Sequence, residues 1–158
     1  MERLWAPWRM EYLMQDTPEG CIFCDKPAAG DDAANLILVR TPLSFIMLNA
    51  YPYNNGHLMV APLRHAATFN DLTAEERSDL VEAVALGERI IERAYHPQGM
   101  NVGANVGHCA GAGVPGHVHV HIVPRWEGDT NFMPVLGDVR VLPETLEETY
   151  ERLRSALE

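Results

Sequence analysis

Apolar residues fall along this chain in two rhythms. Short runs over 36–39, 45–48 and 57–61 are rich in branched and aromatic side chains and bounded by turn formers, so they predict three strands. Tyr51-Pro52-Tyr53-Asn54-Asn55-Gly56 reads as the turn between the last two, giving an antiparallel meander. The helical rhythm begins at Thr73-Ala74-Glu75-Glu76, where Thr and Glu stand three apart as a capping box requires. Leu80, Val84, Ile91 and Ala94 continue one apolar face to about Tyr95, and Pro97 and Gly99 stop it. A strand is expected over 101–106, a glycine-rich loop over 107–116, and a further strand from His117. A last helix is expected from near Pro143 to the C-terminus through Leu146, Tyr150, Leu153 and Leu157. The pattern predicts an α+β fold: an antiparallel sheet of about five strands, one long helix and a C-terminal helix.

The N-terminal residues 1–20 follow neither rhythm and carry Trp5, Pro7, Trp8, Tyr12 and Leu13 as large apolar anchors. They are expected to form an arm packed on the body or on a second subunit, with residues 21–158 as a single domain. A length of 158 residues and 47% hydrophobic content suit one domain with a real core. The net charge of −10, with no run of Lys or Arg, argues against extended nucleic acid as a partner. An anionic ligand would need local compensation from histidines, Arg125, a metal ion or backbone N–H groups. No apolar run reaches the roughly 20 residues that span a bilayer, and Glu2, Arg3, Arg9 and Glu11 interrupt any signal-like start. A cytoplasmic protein without membrane contact is expected. Three cysteines do not suggest a disulfide framework, and Cys21 and Cys24 form a C-x-x-C that suits a metal or a redox pair.

Chemistry concentrates in His117-Val118-His119-Val120-His121-Ile122-Val123-Pro124-Arg125. On a strand, residues i, i+2 and i+4 share a face, so three imidazoles would project together, neighbours roughly 6.5–7 Å apart. Such a face can bind a metal, hold a polyphosphate or carry a nucleophilic imidazole. The loop Asn105-Val106-Gly107-His108-Cys109-Ala110-Gly111-Ala112-Gly113 leads into it, and glycines there allow backbone N–H groups close approach to an anion. Arg125 suits either a phosphate or a carboxylate partner.

This arrangement resembles the histidine triad (HIT) family of nucleotide hydrolases and transferases. The likeness extends through Phe45-Ile46-Met47-Leu48-Asn49, Asn55-Gly56-His57-Leu58-Met59-Val60-Ala61-Pro62 and a helix opened by Leu72-Thr73. Leu4-Trp5-Ala6-Pro7-Trp8-Arg9-Met10 and the tail from Pro124 to Val135 are similar to the branch of diadenosine tetraphosphate (Ap4A) phosphorylases. The resemblance implies His119 as nucleophile, forming a nucleotidyl-histidine intermediate, with His121 and His57 beside it. It implies Asn49 at the ribose, Phe45, Ile46 and Leu48 at the adenine, and Asn105 and His121 toward the phosphates; Gly111 and Gly113 belong to the anion-approaching loop, and Trp126, next to the triad, suits either closing over a polyphosphate or packing. Ala112-Gly113 stands where many relatives carry Gln then Ser or Thr, and the loop is one residue longer than in common hydrolases.

The expected activity is cleavage of nucleoside polyphosphates such as Ap4A, phosphorolysis favoured. The alternatives are hydrolysis of dinucleoside polyphosphates or adenylate conjugates, a nucleotide-binding module with little catalysis, and a metallohydrolase using the triad as ligands. The family also implies a homodimer. Some members complete a C-x-x-C zinc site with a His after the third strand and the first triad histidine, which correspond here to Cys21, Cys24, His65 and His117. The resemblance therefore implies a structural zinc ion.

Overall fold

The computed structural model describes residues 20–129 and 142–157. The predicted N-terminal arm, apart from its last residue, and most of the tail after Asp129 lie outside the described residues. Element order is α1 (Ile22–Ala28), β1 (Ile37–Arg40), β2 (Ser44–Leu48), β3 (Leu58–Pro62), α2 (Ala74–Tyr95), β4 (Gly99–Gly103), β5 (Val120–Arg125) and α3 (Leu146–Ser155). The strands form one antiparallel sheet in the order β1-β2-β3-β5-β4. This is the α+β arrangement expected, with one added helix, α1, over the C-x-x-C.

Helix α2 begins where its capping box predicts. Thr73 Oγ1 accepts from the Glu76 N–H at 3.1 Å, and Glu76 accepts from the Thr73 N–H at 2.7 Å. It ends at His96, which takes a left-handed backbone at φ 45°. One sheet face packs on α2 and α3 through Ile46, Leu48, Leu58, Val60, Val120 and Ile122. The other face buries a smaller cluster of Phe45, Met47, Met59 and Ala61 against Phe23 of α1. Strand alternation sends successive side chains to opposite faces, so β1, β2 and β3 each contribute to both cores.

Two boundaries differ from expectation. The strand predicted over 101–106 is β4 at Gly99–Gly103, because its ladder runs from Gly99 opposite Arg125 to Gly103 opposite His121. The strand predicted from His117 enters the ladder only at Val120. β3 runs on to Pro62 along β2, but its pairing with β5 ends at Val60, and the Val118 N–H donates instead to the Ala66 carbonyl at 2.7 Å. His117, Val118 and His119 therefore precede the sheet and are not part of it.

Candidate active site and metal centre

The three imidazoles occupy the α1 side of the sheet, but they are not equivalent. His117 and His119 are 0% and 3% exposed, while His121 is half-buried. The His119 and His121 rings meet edge to face with centroids 4.9 Å apart, closer than the strand repeat. His57, the residue before β3, completes the row with its ring 5.1 Å from His121.

Hydrogen bonds set the tautomers, because a backbone carbonyl can only accept and a backbone N–H can only donate. His119 Nδ1–H donates to the His117 carbonyl at 2.8 Å, which leaves Nε2 with its lone pair. His117 Nε2–H donates to the Pro62 carbonyl at 2.8 Å, which leaves Nδ1 with its lone pair. His57 Nδ1 accepts from the Tyr53 N–H at 3.1 Å, so its Nε2–H donates to His121 Nδ1 at 2.9 Å. Neutral His121 therefore carries its own proton on Nε2. Burial favours the neutral form along the triad: it pushes His117 and His119 down from the usual histidine range and His121 down to about 4, with the neighbouring His119 adding to the last. The row thus presents a lone pair at His119 Nε2 beside a donor at His121 Nε2–H, which suits nucleophilic attack on an anionic centre.

Two aromatic residues frame this row that sequence reasoning did not single out. Phe23 lies against His119 with ring centroids 4.6 Å apart and against His117 at 5.4 Å. Tyr53 covers His57 at 4.6 Å and His121 at 6.0 Å. A hydrophobic residue inside C-x-x-C and a tyrosine in a turn carry no periodic signal, so only tertiary contact reveals them.

On the far side of His117, Cys21, Cys24, His65 and His117 bring one donor atom each within 4.8 Å of one another. Cys21 Sγ lies 3.3 Å from His117 Nδ1, and Cys24 Sγ lies 3.3 Å from His65 Nδ1 and 3.6 Å from His117 Nδ1. Tetrahedral zinc with ordinary Zn–S and Zn–N bonds separates sulfur from nitrogen by roughly 3.5 Å. The donor set and spacing fit a metal ion, and the lone pair that Pro62 leaves on His117 Nδ1 faces it. Burial and the adjacent Cys21 push the Cys24 thiol up to about 11, so a cation is what would favour its thiolate here.

The other expected ligand contacts divide. Phe45 sits on the imidazole side, its ring centroid 6.4 Å from that of Phe23. Ile46 and Leu48 point the other way, into the core under α2, because they alternate with Phe45 along β2. They are core residues, although Leu48 also borders a cavity of about 200 Å³ lined by Asn49, Asn55, His57 and Thr149. Asn49 follows β2; its side-chain oxygen accepts from the Tyr51 N–H at 2.9 Å and its Nδ2 lies 3.4 Å from His57 Nδ1.

Asn105 donates to the Gly111 carbonyl at 3.4 Å and so braces the loop. Gly107 and Gly111, at φ 86° and 89°, frame a tight turn over His108–Ala110 that other residues would strain. The N–H groups of Ala110, Gly111 and Ala112 close that turn on the Gly107 and His108 carbonyls and are not directed at an anion. Gly113, in the loop expected to approach an anion, is half-buried before Val114, which packs against the Phe23 cluster. Arg125 forms a two-pronged pair with Asp129 at 2.6 and 2.7 Å, which decides for a carboxylate partner. Trp126 meets Tyr95 of α2 edge to face at 6.3 Å, on the opposite side of the sheet from His121. It packs there and does not reach the imidazoles.

Fold and site together define an α+β protein with a row of imidazoles on one sheet face and a Cys2His2 cluster beside it. The HIT domain family matches residues 31–128, and the chain belongs to that family. It is 39% identical to AP-4-A phosphorylase of Mycobacterium tuberculosis, over 94% of this chain and 80% of that protein. Among solved structures it resembles a Zn-bound histidine triad family protein from Mycobacterium smegmatis, with TM-score 0.66 and 29% identity over 87% of this chain and 93% of that one. A hypothetical histidine triad nucleotide-binding protein from Sulfolobus tokodaii gives TM-score 0.70 and 26% identity, covering 87% of this chain and 91% of that one.

Proposed function

We propose that this protein is an enzyme cleaving nucleoside polyphosphates such as Ap4A through a nucleotidyl-His119 intermediate, with inorganic phosphate as the favoured acceptor. The observation that carries the reading is the His119 tautomer: its Nδ1–H is held by the His117 carbonyl, and Nε2 is left as a nucleophile. In the first step His119 Nε2 bonds to the phosphorus of a terminal AMP unit, and the P–O bond to the remaining polyphosphate breaks, releasing ATP from Ap4A. The His121 Nε2–H, oriented by His57, donates to the phosphoryl or leaving oxygens as charge develops. In the second step a phosphate oxygen attacks the phosphorus, breaks the P–N bond and yields ADP, whereas water would yield AMP. The likeness to AP-4-A phosphorylase over nearly the whole chain supports phosphate.

Asn49 and Phe45 are the nucleoside-binding residues of this reading, and Asn105, Gly111 and Gly113 shape the loop beside the phosphates. Zinc is the metal proposed for Cys21, Cys24, His65 and His117, supported by the donor set and by the zinc of the Mycobacterium smegmatis relative. Four protein ligands leave no open position, so zinc there would supply structure and not an activated water. A cytoplasmic homodimer is proposed, with residues 21–158 as one domain. All three cysteines are free, β4 is an edge strand with Val102 44% exposed, and no described helix is long and apolar enough to cross a membrane.

The test supplies Ap4A with and without inorganic phosphate and separates the nucleotides. ADP plus ATP, dependent on phosphate, is expected, together with a nucleotidyl adduct on His119 by mass spectrometry. No turnover of any dinucleotide or adenylate conjugate, with His119→Ala indistinguishable from the parent, would overturn the enzyme reading.

A further inference from the structure

The metal cluster and the nucleophile are joined by one side chain. Phe23 lies between Cys21 and Cys24 in sequence, is 0% exposed, and places its ring against both His117 and His119. Its segment has little reason to be helical by itself. Helix α1 has seven residues, contains Pro27, and receives no side-chain hydrogen bond at its N-cap, Cys21. A helix this short is unfavourable in isolation because too few hydrogen bonds offset nucleation. What holds its first turn is the Cys2His2 cluster at one end and the packing of Phe23 on Phe45, Met47, Met59 and Ala61.

The imidazole of His119 has one hydrogen bond that fixes its tautomer, and that bond alone leaves the ring free to tilt about the Nδ1–H···O axis. Two ring neighbours restrict that tilt: His121 at 4.9 Å with the planes nearly perpendicular, and Phe23 at 4.6 Å in a tilted contact with the planes 33° apart. Of the two, Phe23 is the one that also touches His117 of the cluster, so it is the wall that links His119 to the cysteines.

We propose that Phe23 is the positioning residue for His119 and that metal binding at Cys21, Cys24, His65 and His117 acts on catalysis by seating Phe23. The inference rests on the nucleotidyl-His119 reading and on metal occupancy of the cluster. The metal does not touch the reacting atoms. It pins the two cysteines that flank Phe23, and the ring transmits that placement to the plane of His119, whose Nε2 must line up with phosphorus and the leaving oxygen.

The experiment compares the zinc-loaded parent with Phe23→Leu and Phe23→Ala, reading zinc per chain by atomic spectroscopy, kcat and KM for Ap4A, and the ¹⁵N-coupled Nδ1–H proton signal of His119 by NMR. The expected result for Phe23→Ala is full zinc content, KM within about twofold, kcat lower by about 10- to 100-fold, as for other residues that orient a site from behind, and a broadened His119 Nδ1–H signal. Phe23→Leu should lie between the two. Chelating the parent should lower kcat and broaden the signal to the same degree, and chelating Phe23→Ala should add little. Equal kcat in the parent and in zinc-loaded Phe23→Ala would overturn the proposal, as would losses from chelation and substitution that simply multiply. Should Phe23→Ala fail to fold, Phe23→Leu carries the test: zinc retained with an unchanged kcat and a sharp His119 signal would refute it. The NMR signal needs no substrate, so inactivity of the parent toward Ap4A would sink the substrate reading and leave this inference to be judged by the signal alone.

Discussion

His121 should make the protein acid-sensitive in a defined window. Burial and the adjacent His119 push it down from 6.5 to about 4. The unfolded chain therefore binds more protons between those values, and stability rises with pH across the window and is lost on acidification. Fully shielded, the single site would cost about 2 kcal/mol between pH 8 and pH 5, since a tenfold change in proton affinity corresponds to ~1.36 kcal/mol. The ring is only half-buried, so solvent screening reduces the expected figure to about 1 kcal/mol. Urea unfolding of the parent and of His121→Asn, each at pH 8, 6.5 and 5, isolates the contribution, because other acid-sensitive groups cancel in the difference. The parent should lose about 1 kcal/mol more than the variant on going to pH 5. Parallel pH profiles would refute the assignment of a neutral, shielded His121.

Cys24→Ser should lose metal and unfold at a lower temperature, since Cys24 Sγ approaches both histidines of the cluster; unchanged metal content and Tm would remove the zinc assignment. Thr73→Ala removes one half of the α2 capping box and should cost about 1 kcal/mol in denaturant unfolding with little change in KM. Gly87→Val should destabilise by about 1–3 kcal/mol, because even a Cβ at Gly87 would lie 2.7 Å from Ile122 Cδ1 in a sealed core; a variant as stable as the parent would show that β5 can yield there.

Much of the architecture is legible without any tertiary contact, and the exceptions have identifiable causes. The capping box at Thr73 and the apolar period from Leu80 to Ala94 are local signals, and α2 follows them. The start of β5 is not legible, because alternation in His117-Val118-His119 records only an extended chain. Whether an extended chain joins a ladder depends on a partner, and here the N–H of Val118 finds Ala66. Ile46 and Leu48 pass for nucleobase contacts because period two separates faces without saying which one holds the site. Trp126 lies near the triad in sequence, but parity along β5 puts it across the sheet with Tyr95.

By itself the sequence determined the residue types and their order: a strand-forming stretch with three histidines, a C-x-x-C, a glycine-rich lead-in and a capped helix. These are local properties, set by backbone preference and spacing within a few residues. The tertiary structure decided the surroundings of each histidine. Pro62, 55 residues from His117, takes one imidazole proton and turns the other nitrogen toward Cys21 and Cys24. The His117 carbonyl frees Nε2 of His119, and Tyr53 orients His57 and through it His121. Chemically identical side chains end in different tautomers because each imidazole meets a different partner: His119 and His57 find theirs two and four residues away, whereas the Pro62 carbonyl at His117 and the contact of His57 with His121 exist only in the folded chain.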